Sequence, residues 1–205
     1  CLSMTVPVFI LALQHQDGYS PMLFDSHAHL DMLTDDTEEL VRIVAGEFAC
    51  GLSAIVQVST DPDIHSNIYS SLVRQNRNIY YACGLTHAFS GDIREGLGKI
   101  TDIVRSGQVC AIGETGLDYS RGVDPEAVLR QKNLFEEQML IARVSGLPVI
   151  VHTRDAAADT LAMLDRYIDP GDQATGERGI AEVLLGESVR AHGLGDLAVD
   201  LEDGR

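Results

Sequence analysis

The sequence predicts an α/β fold: a partial (β/α)8 barrel of about five β/α units, followed by an irregular C-terminal stretch. Three observations predict it. Short apolar runs alternate five times with segments of helical periodicity, which implies a parallel sheet. The runs are near-continuously apolar, as strands buried on both faces are. Polar residues collect at their carboxyl ends, where parallel α/β folds place their active sites. No glycine-rich phosphate fingerprint follows the first run, which argues against a dinucleotide-binding unit. A barrel with metal ligands at its rim is the better account.

The first strand is read over Leu23 to Ser26. A helix then opens at Asp36-Thr37-Glu38-Glu39 with a capping-box arrangement, and Leu40, Ile43, Val44 and Phe48 recur at helical spacing. Ser53 to Ser59 is the second strand, and Asp61-Pro62 starts the next helix with proline in its first turn. Ile79 to Leu85 is the third strand and Asp92 to Ser106 the helix after it, ending before Gly107. Val109 to Glu114 is the fourth strand. Asp124-Pro125 opens a long helix through about Ser145, with Val128, Phe135, Met139 and Ala142 along one face. Leu147 to His152 is the fifth strand and Asp155 to Tyr167 its helix. His65, in the polar stretch Asp61 to Asn67, reads as a solvated helix residue.

Composition narrows the function. At 205 residues and 45% apolar the chain can bury the core of one domain. No stretch reaches the roughly 18 apolar residues that span a bilayer. The run Val6 to Leu13 is short, lacks a preceding basic residue and is followed by Gln-His-Gln-Asp, so it does not read as a secretory signal. Residues 1–21 are taken as an N-terminal extension, with Met22 a natural start. The four cysteines are widely spaced without a Cys-x-x-Cys pair, and Cys83 and Cys110 lie in apolar runs. They read as small buried hydrophobes in a reducing compartment, which makes the cytoplasm the expected location. A net charge of −16, with Lys99 and Lys132 the only lysines, excludes a long basic groove for nucleic acid. A DNA or RNA substrate would have to be gripped locally, by metal ions and a few arginines.

The chemistry concentrates in a few residues. His27 and His29 end the first apolar run two positions apart, and residues i and i+2 of a strand point to one side. Both imidazoles can therefore aim at one ion. His87 follows the third strand, Glu114 ends the fourth and His152 the fifth, with Arg154 two residues beyond.

Three longer segments carry a family resemblance. Asp25-Ser26-His27-Ala28-His29-Leu30-Asp31, the run from Ala111 to Tyr119, and the run from Leu147 to Ala156 resemble the three signatures of the TatD family of metal-dependent deoxyribonucleases. Gly84-Leu85-Thr86-His87-Ala88 is similar to its Gly-x-His-Pro element, with Ala88 in place of proline. The helix carrying Gln131, Phe135, Gln138 and Ala142 also fits the pattern before the third signature. The resemblance spans roughly residues 22 to 168, which are taken as the hydrolase domain. It implies a barrel hydrolase of phosphodiester bonds with a site for two divalent ions (Mg, Mn or Zn) and DNA as substrate. It also implies that His27 and His29 bind one ion, that the catalytic Glu114 bridges both, and that His152 binds the second. Arg154 would neutralise a phosphate oxygen and His87 would donate a hydrogen bond to the substrate.

The pattern stops near residue 168. Family members continue with strands that supply a further His and a carboxylate, whereas residues 169–205 contain His192 in an unrelated context and no aromatic residue. This stretch is expected to be a divergent, disordered tail produced by truncation or frameshift. Two alternatives to an active DNase therefore stay open: an inactive half-barrel that retains partial metal binding, and a cyclic-amide amidohydrolase. The last is disfavoured because Glu114 stands where such enzymes carry a bridging carbamylated lysine.

Overall fold

The computed structural model of the chain describes residues 9–11, 22–72, 76–167, 180–185 and 199–201. Strand β1 (Phe9–Leu11) pairs antiparallel with β2 (Met22–Ala28). From β2 onward the chain alternates: α1 (Thr37–Ala49), β3 (Leu52–Ser59), α2 (Pro62–Leu72), β4 (Ile79–Cys83), α3 (Ile93–Arg105), β5 (Ala111–Asp118), α4 (Pro125–Ser145), β6 (Val149–Arg154) and α5 (Ala157–Tyr167). The sheet continues into β7 (Ile180–Leu185) and β8 (Val199–Leu201), and every pair from β2 to β8 is parallel. The strand order follows the sequence order. Five parallel strands with alternating helices thus form a half-barrel, and two short strands extend it into the stretch for which the sequence offers no element. The other residues of 1–21 and 168–205 lie outside those described.

The capping residues explain where the helices begin. Asp36 accepts hydrogen bonds from the Glu38 and Glu39 amides, Asp92 from Glu95, and Asp124 from Ala127. Each carboxylate satisfies an orphan donor of the first turn and lies favourably toward the positive end of the helix dipole. Asp61 does the same for Asp63 and Ile64 at the start of α2. Gly146, at φ 70°, closes α4 in the left-handed conformation that glycine takes without a Cβ penalty.

All five helices cover one face of the sheet. Leu40, Val44, Ile68, Leu72, Ile100, Leu134, Phe135, Met139 and Met163 pack there with Ile55, Tyr81, Ile112, Leu117 and Val151 from the strands. The opposite face carries a separate cluster of Val58, Ala82, Ala111 and Ile150, made by strands alone. A doubly wound sheet would place helices on both faces, so one-sided cover identifies barrel curvature.

Strand β5 holds the feature that places the site. Ala111 packs in the strand-only cluster, yet Leu117, six residues later, packs under the helices. A regular strand would put both on one face. The register against β6 shifts between Ile112 and Thr115, and this irregularity exchanges the faces. Glu114, Gly116 and Asp118 consequently share the helix-free face. The strand runs on to Asp118, so Glu114 lies within it rather than at its end.

Helix α4 clamps two strand ends with buried glutamines. Gln138 accepts from the Leu85 amide (2.7 Å) and donates to the Leu85 carbonyl (2.8 Å) and Thr115 Oγ1 (2.6 Å). Seven residues earlier, Gln131 accepts from the Asp118 amide (2.9 Å) and donates to its carbonyl (3.0 Å). Residues seven apart fall on one helix face, so one stripe of α4 holds the backbones that carry His87 and Asp118. Replacing Gln138 by Ala should cost about 3 kcal/mol, because it strands buried polar groups of Leu85 and Thr115. Urea denaturation would show this as a lower midpoint with unchanged slope.

Two expectations need correcting. His65 is fully buried: it packs against Tyr69 and Tyr81, with Nε2 3.3 Å from Gln108 Oε1. Its position on α2 turns it toward β4, and burial pushes its imidazole pKa down. Cys83 is buried as expected, but Cys110 is exposed, because it precedes β5 and falls outside both apolar clusters. Cys50, Cys83 and Cys110 are free thiols. No helix among the described residues is long and apolar enough to cross a membrane.

Candidate metal centre

His27 lies in β2, while His29 follows it and leads into a 3-10 turn over Leu30–Met32. Two contacts orient this segment. His29 Nδ1 is 2.8 Å from the Val58 carbonyl, and a carbonyl only accepts, so Nδ1 carries a hydrogen. In the neutral ring, Nε2 is then a bare lone pair. Behind it, buried Gln57 accepts from the Leu30 amide (2.6 Å) and donates to Asp31 Oδ1 (2.9 Å), which pins the turn.

The three donors converge. The Nε2 atoms of His27 and His29 are 3.2 Å apart, and Glu114 Oε2 is 3.3 Å from the first and 3.4 Å from the second. Donors at 2.0–2.1 Å from a tetrahedral ion lie about 3.3 Å from one another, so the triangle has the dimensions of three ligands of one cation. Chemistry agrees with dimension. Two imidazole nitrogens and a carboxylate oxygen facing each other repel unless a proton or metal ion lies among them. The set fits a divalent ion that accepts nitrogen and oxygen ligands.

The other carboxylate oxygen faces a second set. Glu114 Oε1 is 2.7 Å from His152 Nδ1, and His152 Nε2 is 3.3 Å from Asp118 Oδ2. His87 Nε2 stands 3.5 Å from the same Asp118 oxygen, and its ring stacks on His152 with centroids 5.0 Å apart. The groups His27–His29–Glu114 and His87–Asp118–His152 therefore adjoin through one carboxylate.

Charge follows this geometry. Burial by itself would raise the Glu114 carboxyl, but hydrogen bonds from His152, His27 and His29 outweigh it and hold the group well below the usual carboxylate range. Burial would lower His29 and His152, yet the Glu114 carboxylate beside each wins and raises both. His87 is lowered, first by burial and then by the charge of His152.

Of the residues singled out from the sequence, His27, His29, Glu114, His87 and His152 come together. Arg154 does not join them through an ion pair: its side chain is exposed and makes none with Glu114 or Asp155 among the described residues. Asp118 is the residue that sequence reasoning missed. Its signal was the spacing Glu114, Gly116, Asp118, which shares a face on a strand extended past Glu114.

The sequence matches the TatD related DNase family over residues 24–177. The chain belongs to this family. It is 34% identical over 144 residues to the uncharacterized metal-dependent hydrolase YcfH of Escherichia coli K12, covering 69% of this chain and 53% of YcfH. It is 32% identical over 130 residues to a protein of Enterobacter lignolyticus named 3'-5' ssDNA/RNA exonuclease TatD, covering 62% of this chain and 48% of that one. The chain thus spans about half the length of these TatD-family relatives. The crystal structure of YJJV, a TatD homolog from Escherichia coli K12, has the same fold, with a TM-score of 0.60 and 24% identity over 70% of this chain and 55% of that one.

Proposed function

We propose that this chain is a metal-dependent phosphodiesterase that cleaves single-stranded nucleic acid, DNA foremost. The observation that carries the reading is Glu114, one oxygen of which faces His27 and His29 while the other faces His152. A carboxylate so placed can bridge two ions. His27 and His29 would hold the first and His152 the second, with Mg, Mn and Zn the metals to test; the imidazoles favour Zn, while the carboxylate also suits Mn and Mg. Bound there, the ions would supply Lewis acidity and a water of lowered pKa. The chain's own residues do the rest. Gln57 and the Val58 carbonyl hold the His29 ring in orientation. His87, which stacks on His152, would donate to a phosphate oxygen, and the exposed Arg154 would neutralise one. These two contacts would give the local grip that an acidic surface otherwise denies. The hydrolase unit is taken as residues 22–168, in a cytoplasmic setting that suits the free thiols.

The test is cleavage of a single-stranded DNA oligonucleotide by the full chain, with metal content measured in parallel. Cleavage that needs the divalent ion and vanishes with chelator is expected. Stoichiometric metal without cleavage above a Glu114→Ala control would sink the nuclease reading and leave an inactive metal-binding half-barrel.

Metal affinity should also depend on pH. The Glu114 carboxylate raises His29 and His152 above the ordinary imidazole value, so protons compete with a metal for them over a pH range that reaches higher than for a free imidazole. Apparent affinity should be flat at pH values above their raised pKa values. It should fall as pH drops through them, by up to about tenfold per unit for each proton displaced. Zn²⁺ titrations between pH 6 and 9 would check the direction, and an affinity that rose toward acid pH would contradict it.

A further inference from the structure

We propose that Asp118 is a positioning residue that fixes the tautomer and ring orientation of His152, so that its Nδ1 is the atom presented to Glu114. The inference rests on the reading above, in which His152 is a ligand.

The geometry is specific to one oxygen of Asp118. Oδ1 is occupied, accepting from the Ser120 amide at 2.9 Å and the Ser120 hydroxyl at 2.6 Å. Its backbone is clamped at both amide and carbonyl by Gln131. The carboxylate is therefore held from behind, and Oδ2 is left facing His152 Nε2 at 3.3 Å. An ionised carboxylate only accepts, so Nε2 must carry a hydrogen for this contact to be attractive. With Nε2 protonated, a neutral ring has its lone pair on Nδ1, which lies 2.7 Å from Glu114 Oε1. A cation held there would meet the Nδ1 lone pair, with the Nε2 hydrogen still donated to Asp118. A carboxylate that orients a ligating imidazole in this way raises its basicity and restricts its rotation.

Asp118 also faces His87 Nε2, at 3.5 Å, and His87 stacks on His152. One carboxylate oxygen thus sets the orientation of both rings. Its position four residues after Glu114, on the same face, makes β5 the source of both the ligating and the orienting carboxylate.

The test combines two measurements on the full chain. Zn²⁺ is titrated into metal-free wild type, Asp118→Ala and Asp118→Asn by calorimetry, and the His152 ring nitrogens are followed by ¹⁵N NMR. In Zn²⁺-loaded wild type, Nε2 should bear hydrogen and Nδ1 should show the ligand shift, a readout that needs no variant to fold. Asp118→Ala should weaken Zn²⁺ at the His152 site by about 10- to 100-fold. Asp118→Asn should not recover that loss, since the two Ser120 donors hold the single amide oxygen and leave the amide NH2, itself a donor, facing Nε2. A metal on Nε2 of wild type would overturn the inference. Folded Asp118→Ala with wild-type affinity and an unchanged His152 tautomer would overturn it too. If Zn²⁺ leaves both His152 nitrogens of wild type unmoved, the ligand reading of His152 fails first and this inference with it.

Discussion

Replacing Glu114 by alanine is expected to lower nucleic-acid cleavage by more than about 100-fold and to reduce the metal bound per chain. Removal of an outer partner of a metal ligand already costs about 10- to 100-fold, and Glu114 is proposed to contact both ions directly. The structure explains why no neighbour can substitute. His27, His29 and His152 approach this one carboxylate from two sides, at 3.3, 3.4 and 2.7 Å. Asp118, the other acid of the cluster, meets His152 at its far nitrogen and also faces His87. Glutamine at 114 keeps volume and one acceptor oxygen but loses the charge, and should lie between alanine and wild type. Calorimetric metal titration together with an oligonucleotide assay checks the prediction. A Glu114→Ala chain within tenfold of wild type in both would remove Glu114 from the centre of the site.

Gly116→Ala should destabilise the fold by at least about 4 kcal/mol, far more than one added methyl group usually costs. Gly116 adopts φ 144°, a conformation that residues with a Cβ rarely enter, and a Cβ built there would stand 1.9 Å from the carbonyl oxygen of His152. That oxygen is backbone, in the strand paired with Gly116, so nothing flexible can give way. Relief requires β5 and β6 to separate where Glu114, Asp118 and His152 meet, so metal binding should fall together with stability. Gly98→Ala is the matched control. Gly98 lies exposed within α3 with open space around it, and alanine there should stabilise by about 0.5–1 kcal/mol. Chemical denaturation of both variants separates backbone conflict from a general intolerance of change.

Much of this was legible in the sequence because the signals are local. Asp36, Asp61, Asp92 and Asp124 each announce a helix start by an interaction spanning two or three residues, and the structure uses all four. His27 and His29 share one aim because two residues of extended chain bring side chains to the same side. Glu114 and His152 were legible as polar groups at the carboxyl ends of apolar runs. His65 was misjudged for the opposite reason: its polar neighbours in sequence say nothing of Tyr81, which meets it across α2 and β4.

By itself, then, the sequence determined the order of β/α units, the helix caps and the residue types that can hold a cation. Only the tertiary structure decided which atoms meet. The register shift in β5 moves Glu114 and Asp118 to the helix-free face, and no periodicity within Ala111–Asp118 announces it, because the face of a strand is set by pairing with its neighbour. The two buried glutamines of α4 looked polar in sequence and became structural only when Leu85 and Asp118 supplied backbone groups to satisfy. The physical reason is the same in both cases. Local propensity acts over a turn or two, whereas a metal centre is assembled from strands tens of residues apart, whose mutual register is settled by packing.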